Sequence, residues 1–185
     1  MILPVIVYGN PILRKVSENI TPAYPKLNDI IKNMWDTMYV ADGVGLAAPQ
    51  IGYSIRLFVI DGTSLAEDDP LCDGFKRTFI NANIVEESGD AWAFNEGCLS
   101  LPGVREDVNR KAKIKIQYQD ENFNTVVEEL DGIRARIVQH EYDHLEGKLF
   151  IDHINMLRKR LLKKKLSNIE IGNVDVTYKI KVLKK

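Results

Sequence analysis

The chain has 185 residues, with 25 lysines and arginines against 26 aspartates and glutamates, a net charge of −1. An apolar fraction of 45% with so little net charge excludes disorder as the main state, and the missing basic excess argues against a dedicated nucleic-acid binder, DNA included. No run reaches the ~18 apolar residues of a membrane span, and Met1–Val7 is too short and proline-interrupted for a secretory signal, so a cytoplasmic protein is expected.

The length suits a single domain over residues 1–185 that can bury a core without disulfides. Asn10-Pro11 offers a cap and a first turn over Ile12–Lys15. Leu27, Ile30, Ile31, Met34, Trp35 and Met38 recur at helical spacing and predict an amphipathic helix. Arg56–Asp61 reads as a strand, and residues 62–74 as an acidic surface loop in which Cys72 is an exposed free thiol. Thr78–Val85 and Lys113–Gln119 read as strands, the second joined by a five-residue connection to Thr125–Leu130. Asp131 can cap a helix running to Glu146, with Gly147 as its stop. A further helix is expected over Ile154–Leu166. Beyond it Val174, Val176, Tyr178, Ile180 and Val182 alternate with polar residues, which predicts a half-buried strand at an edge of the core sheet. Strands and helices are segregated, so the expected class is α+β, with mostly antiparallel sheets around a central helix, a C-terminal helix and a terminal strand.

That central helix carries His140-Glu141-Tyr142-Asp143-His144, an HExxH pattern. Residues four apart share a helix face, so both imidazoles can bind one metal while Glu141 acts as a base beside it. A chance match on two surface histidines is the competing reading. Ile133, Ile137 and Leu145 turn the helix toward the core, where unpartnered polar groups are costly. A catalytic site needs a third ligand. Downstream candidates are Glu146, Asp152 and His153, but His153 reads better as a surface or capping histidine. Upstream stands Cys98, within Glu96-Gly97-Cys98-Leu99-Ser100-Leu101-Pro102, which could equally be a small buried hydrophobe. Gly43–Gln50 is a small-residue loop that lacks the pattern of a nucleotide site, and Gln50 could turn its amide into a cleft.

Taken together, the three segments match GxGLAAxQ, EGCLSxP and QHExDHLxG, in order and without a mismatch. In these the chain resembles the peptide deformylase family, hydrolases that remove the formyl group from the initiator methionine of new proteins. Pro49, the acidic loop 67–69 and the stretch after Leu166 fall at positions where that family varies. The resemblance implies Cys98, His140 and His144 as metal ligands, Glu141 as general base and then acid, and Gln50 with the Leu99 N–H as oxyanion donors. It implies peptide pairing along Val44, Gly45 and Gly97, and a methionine pocket near Phe94, Leu99, Ile137 and His140. The implied metal is Fe2+; one thiolate and two imidazoles also suit Zn2+, Ni2+ or Co2+. The implied partners are N-formylmethionyl nascent peptides. For the basic stretch Arg158–Lys165 a solvated helix face is the default, with weak ribosome contact as the functional reading. Two other functions compete: a zincin-type peptidase, which HExxH alone would support, and a metal-stapled binding module, which would need a fourth protein ligand.

Overall fold

The computed structural model describes residues 1–183; Lys184 and Lys185, which the expected domain 1–185 includes, lie outside the described residues. In chain order the elements are β1 (Val5–Ile6), α1 (Leu27–Val40), β2 (Gly45–Ala47), β3 (Leu57–Asp61), β4 (Lys76–Gly97), β5 (Arg105–Gln119), β6 (Thr125–Asp131), α2 (Gly132–Leu145), α3 (Met156–Glu170) and β7 (Ile180–Lys181). Strands β2 to β6 form an antiparallel sheet in sequence order, and β1 pairs with β7 in parallel as a separate ribbon. The class is α+β, as expected.

Helix α1 buries the apolar stripe read from its spacing, Leu27, Ile30, Ile31, Met34 and Met38, against Leu46, Leu57 and Val59 of β2 and β3. Helix α2 lies against the other face, where Ile133, Ala135, Ile137, Val138 and Leu145 meet Phe58, Phe79, Ile114 and Ile116. It stops at Gly147, whose φ of +66° and close approach to the Arg14 carbonyl leave no room for a side chain.

Strand β4 runs twelve residues past the expected Val85, and β5 starts eight residues before the expected Lys113. The periodicity signal fails in both stretches for physical reasons. Register shifts near Asn81, Val85 and Gly89 break the alternation of β4, and much of its middle is exposed. On β5 the inward-facing positions of the missed half are Glu106, Val108 and Arg110, two of them charged. The hairpin matters for function because the end of β4 delivers Glu96-Gly97-Cys98.

Several expectations need correction. Cys72 is fully buried beside Phe75 and Phe79, because a short helical turn at Pro70–Cys72 folds the loop inward. Asp131 precedes α2, but the carboxylate that accepts a bond from the first turn, at Ile133 N–H, belongs to Asp69 (3.2 Å). Helix α3 continues past Leu166 to Glu170, because Ile169 adds a further buried residue to its apolar face. The tail shows the expected alternation of burial from Val174 to Val182, yet only Ile180–Lys181 is a strand. Its partner is β1 rather than the core sheet, whose edges are β2 and β6.

Candidate metal centre and substrate cleft

Two elements and one turn assemble the site. Helix α2 places His140 and His144 on one face, their ring centroids 5.3 Å apart. The turn after β4 brings Cys98 Sγ to 3.3 Å from His144 Nε2. One donor atom from each of Cys98, His140 and His144 lies within 4.8 Å of the others, so a single ion can be held by one sulfur and two nitrogens. Burial raises the Cys98 thiol, but the charge of His144 and hydrogen bonds from both imidazoles outweigh it and bring the thiol down to about 5, so sulfur is presented as thiolate.

The orientation of His140 is fixed from behind. Its Nδ1 donates to Glu96 Oε2 (2.9 Å), which leaves Nε2 for the site. Glu96 also accepts from Arg110 Nε (2.8 Å) and Nη2 (3.0 Å) and from Arg136 Nη1 (3.1 Å). Burial works against the Glu96 carboxylate, yet the bonds from His140 and Arg110 hold its pKa well below the usual carboxylate range. Arg110 Nη1 continues the network to Asp143 Oδ2 (2.7 Å), which also receives His153 Nε2 (2.7 Å). His153 is the exposed residue expected, and it caps the short helical turn at Phe150–Asp152 through its N–H to the Phe150 carbonyl (3.1 Å), while its ring ties into the buried ion network through Asp143. The sequence reading missed this network because Arg110, which joins Glu96 to Asp143, and Arg136, which also bonds Glu96, fall in no motif.

Glu141 is buried, and its Oε2 has no hydrogen-bond partner in the structure. A Cβ on Gly45 would lie 2.7 Å from the Glu141 Cδ, so this close approach requires glycine. Burial raises the carboxyl to about 7, partly countered by the charges of His140 and His144. A divalent cation beside it would draw that value down. Gln50 is oriented just as firmly. Its Oε1 accepts from Ala47 N–H (2.8 Å), which turns Nε2 toward Ser100 Oγ (3.2 Å) and Cys98 Sγ (3.5 Å).

These groups open into a cleft of about 690 Å³. Val44, Gly45, Gln50, Phe94, Gly97, Cys98, Leu99, Ile137, His140 and Glu141, all singled out from sequence, line it together. His144 sits behind them, 1% exposed. Leu65, Arg105, Arg136 and Tyr178 also line the cleft and had no signal in the motifs.

The ligand arrangement separates two readings of HExxH. A zincin takes its third ligand from beyond the helix, but here each downstream candidate is engaged elsewhere: Glu146 with Arg56, Asp152 with Arg14, His153 with Asp143. The sulfur comes from upstream, and among the described residues the cluster contains three protein ligands, the number that leaves a position open for chemistry. The fold and site thus define a metal-dependent hydrolase with a thiolate and two imidazoles.

A sequence model of the polypeptide deformylases matches residues 2–160, and the chain belongs to that family. The peptide deformylase of Flavobacterium johnsoniae is 55% identical, across 98% of this chain and 96% of that one. A crystal structure of a peptide deformylase from Legionella pneumophila is 34% identical, superposes with a TM-score of 0.80 and covers 94% of this chain and 98% of its own. An inhibitor complex of the Plasmodium falciparum enzyme is 38% identical, with a TM-score of 0.77 and coverage of 89% and 97%. The reaction of the family is hydrolysis of the N-formyl group from nascent peptides, and this chain is a hydrolase of that kind.

Proposed function

We propose that the chain deformylates the initiator methionine with Fe2+ held by Cys98, His140 and His144. The observation that carries this reading is the convergence of one thiolate and two imidazoles beside the buried, unpartnered carboxylate of Glu141 on the wall of a peptide-sized cleft. The donor set would also hold Zn2+, Ni2+ or Co2+. When bound, such an ion supplies Lewis acidity that lowers the pKa of a water from 15.7 toward about 7. Glu141 Oε2 takes the proton from the attacking water and delivers it to the leaving amine nitrogen. Gln50 Nε2 and the Leu99 N–H donate to the oxygen that gains charge at the tetrahedral stage, where loss of one such donor typically costs ~10²–10³ in rate. The peptide backbone lies along Val44, Gly45 and Gly97, and the methionine side chain enters among Phe94, Leu99 and Ile137. The formyl carbon carries only hydrogen, so a narrow site excludes larger acyl groups.

Formate release from a formyl-methionyl peptide by anaerobically purified protein, with the acetyl analogue as control, tests the activity. Metal analysis of Cys98→Ala tests the ligand set, and full stoichiometric metal in that variant would overturn it. No helix among the described residues is long and apolar enough to cross a membrane. The place of action that suits the reaction is the cytoplasm, where nascent chains emerge. Arg160, Lys163 and Lys164 on exposed faces of α3 are the residues that would make weak ribosome contact, whereas Lys159 is half-buried and donates to the Asp152 carbonyl (3.3 Å). Arg158 is instead bound to Glu106.

A further inference from the structure

The tail after α3 lies outside the stretch matched by the family model, yet Asp175, Val176, Thr177 and Tyr178 form part of the cleft wall. Tyr178 does more than fill space. Its hydroxyl donates to the backbone carbonyl of Leu99 (2.8 Å). That carbonyl sits in the middle of a tight turn, closed by Leu101 N–H donating to Cys98 O (2.9 Å). The carbonyl of the second residue in such a turn points outward and has no partner within it. The rest of this turn is held from other sides. Tyr8 N–H donates to Ser100 O (2.9 Å), Gln50 Nε2 to Ser100 Oγ (3.2 Å), and the Leu99 side chain packs so closely on Gly43 that a Cβ there would lie 2.9 Å from its Cδ1. The β1–β7 ribbon carries Tyr8 and Tyr178 to the turn together, because Val5 N–H and Val7 N–H bond to Lys179 O (2.8 Å) and Lys181 O (3.2 Å).

We propose that Tyr178 is a positioning residue: its hydroxyl fixes the Cys98–Leu101 turn, and with it the direction of the Cys98 sulfur and the Leu99 N–H. The proposal rests on the reading of those two groups given above. The hydroxyl is committed to Leu99 O, so its loss leaves the ring and the shape of the cleft in place. Substrate should still bind, while the geometry needed at the transition state loosens.

The test is Tyr178→Phe, studied as the full chain. One hydrogen bond of this kind is worth enough for a roughly 3- to 10-fold fall in kcat with KM unchanged. Amide hydrogen exchange on the metal-free protein supplies a readout independent of turnover. The Leu101 amide should exchange faster in the variant, while Val5 and Val7, which report docking of the tail, keep their protection. Unchanged kcat, unchanged exchange at Leu101, or lost protection at Val5 and Val7 would each overturn the proposal, the last because the hydroxyl would then serve only to dock the tail. Cys98→Ala measured alongside separates the two readings. Loss of its metal and turnover upholds the centre however Tyr178→Phe behaves, whereas retention of both would overturn the centre and this proposal with it.

Discussion

Helices α2 and α3 both carry many polar and charged residues, and they use them in opposite ways. Helix α3 buries Leu162, Leu166 and Ile169 and leaves most of its lysines and arginines in water. Helix α2 is buried on nearly every face, so Arg136, Gln139, Glu141, Asp143 and His144 leave water altogether. Buried polar groups must find partners. Arg136 finds Glu96 and the carbonyls of Val108 and Trp92, Gln139 finds the carbonyls of Lys111 and Ala135, and Asp143 finds Arg110 and His153. Four buried atoms on α2 stay unpartnered: Arg134 Nε and Arg136 Nε, whose guanidinium groups bond through their other nitrogens, and Glu141 Oε2 and His144 Nδ1, whose residues belong to the metal centre. Charge density along a helix therefore says little about function; a buried carboxylate that no cation or donor reaches, as at Glu141, says more.

The sharpest way to break that contrast is Glu141→Ala. If the unpaired carboxylate is kept for chemistry, its removal should lower turnover by ~10²–10⁴ or more. The same change removes a buried acid that burial disfavours, so the melting temperature should hold or rise. Formate-release assays and thermal melts of the variant check the two halves, with metal analysis as the control that the centre still loads. Near-normal deformylation, or a large drop in stability, would refute the reading of α2.

Glu96→Gln should reverse the pattern. Glu96 is 5% exposed and takes bonds from Arg110, Arg136 and His140, so neutralising it leaves two buried guanidinium groups short of charge. Breaking one partner of a buried ion pair typically costs ~3–5 kcal/mol. Loss of the bond behind His140 should also weaken metal binding by ~10–100-fold. Chemical denaturation and competitive metal titration measure the two effects. A variant as stable as the parent would mean that the network is not what holds α2 in the core.

Much of the site was legible in the sequence because its residues sit in short local patterns. His140 and His144 are one helical turn apart, Glu96 to Leu99 are contiguous, and Gly45 and Gln50 lie five residues apart in one short segment. The fold class followed from the segregation of strands and helices, and α1 from its stripe. The supporting network was not legible, because its members are far apart in the chain and Arg110 lies on a strand whose inward positions carry charge. Tyr178 was read only as one member of an alternating strand. Its hydrogen bond to Leu99 depends on β7 choosing β1 as its partner, a pairing between the two ends of the chain that no local pattern encodes.

The connection between the two helices offers the mildest test. Asp152 accepts from Arg14 and from Leu149 N–H (2.9 Å), and it is partly exposed. Burial raises its carboxyl, but the hydrogen bonds from Arg14 and Leu149 outweigh this and hold it below the usual carboxylate value. A folded-state pKa below the unfolded one means that the unfolded chain binds the proton first. The stabilisation is then complete above the unfolded value of ~3.9 and is lost as pH falls through it toward the folded value. Solvent screening limits such a pair to about 0–1 kcal/mol. Asp152→Asn should therefore melt slightly below the parent at neutral pH, and the two curves should converge as pH falls below ~3.9. A gap that stays constant down to strongly acid pH would show that Asp152 contributes through its Leu149 bond alone, and that the charge beside α2 matters only where it is buried.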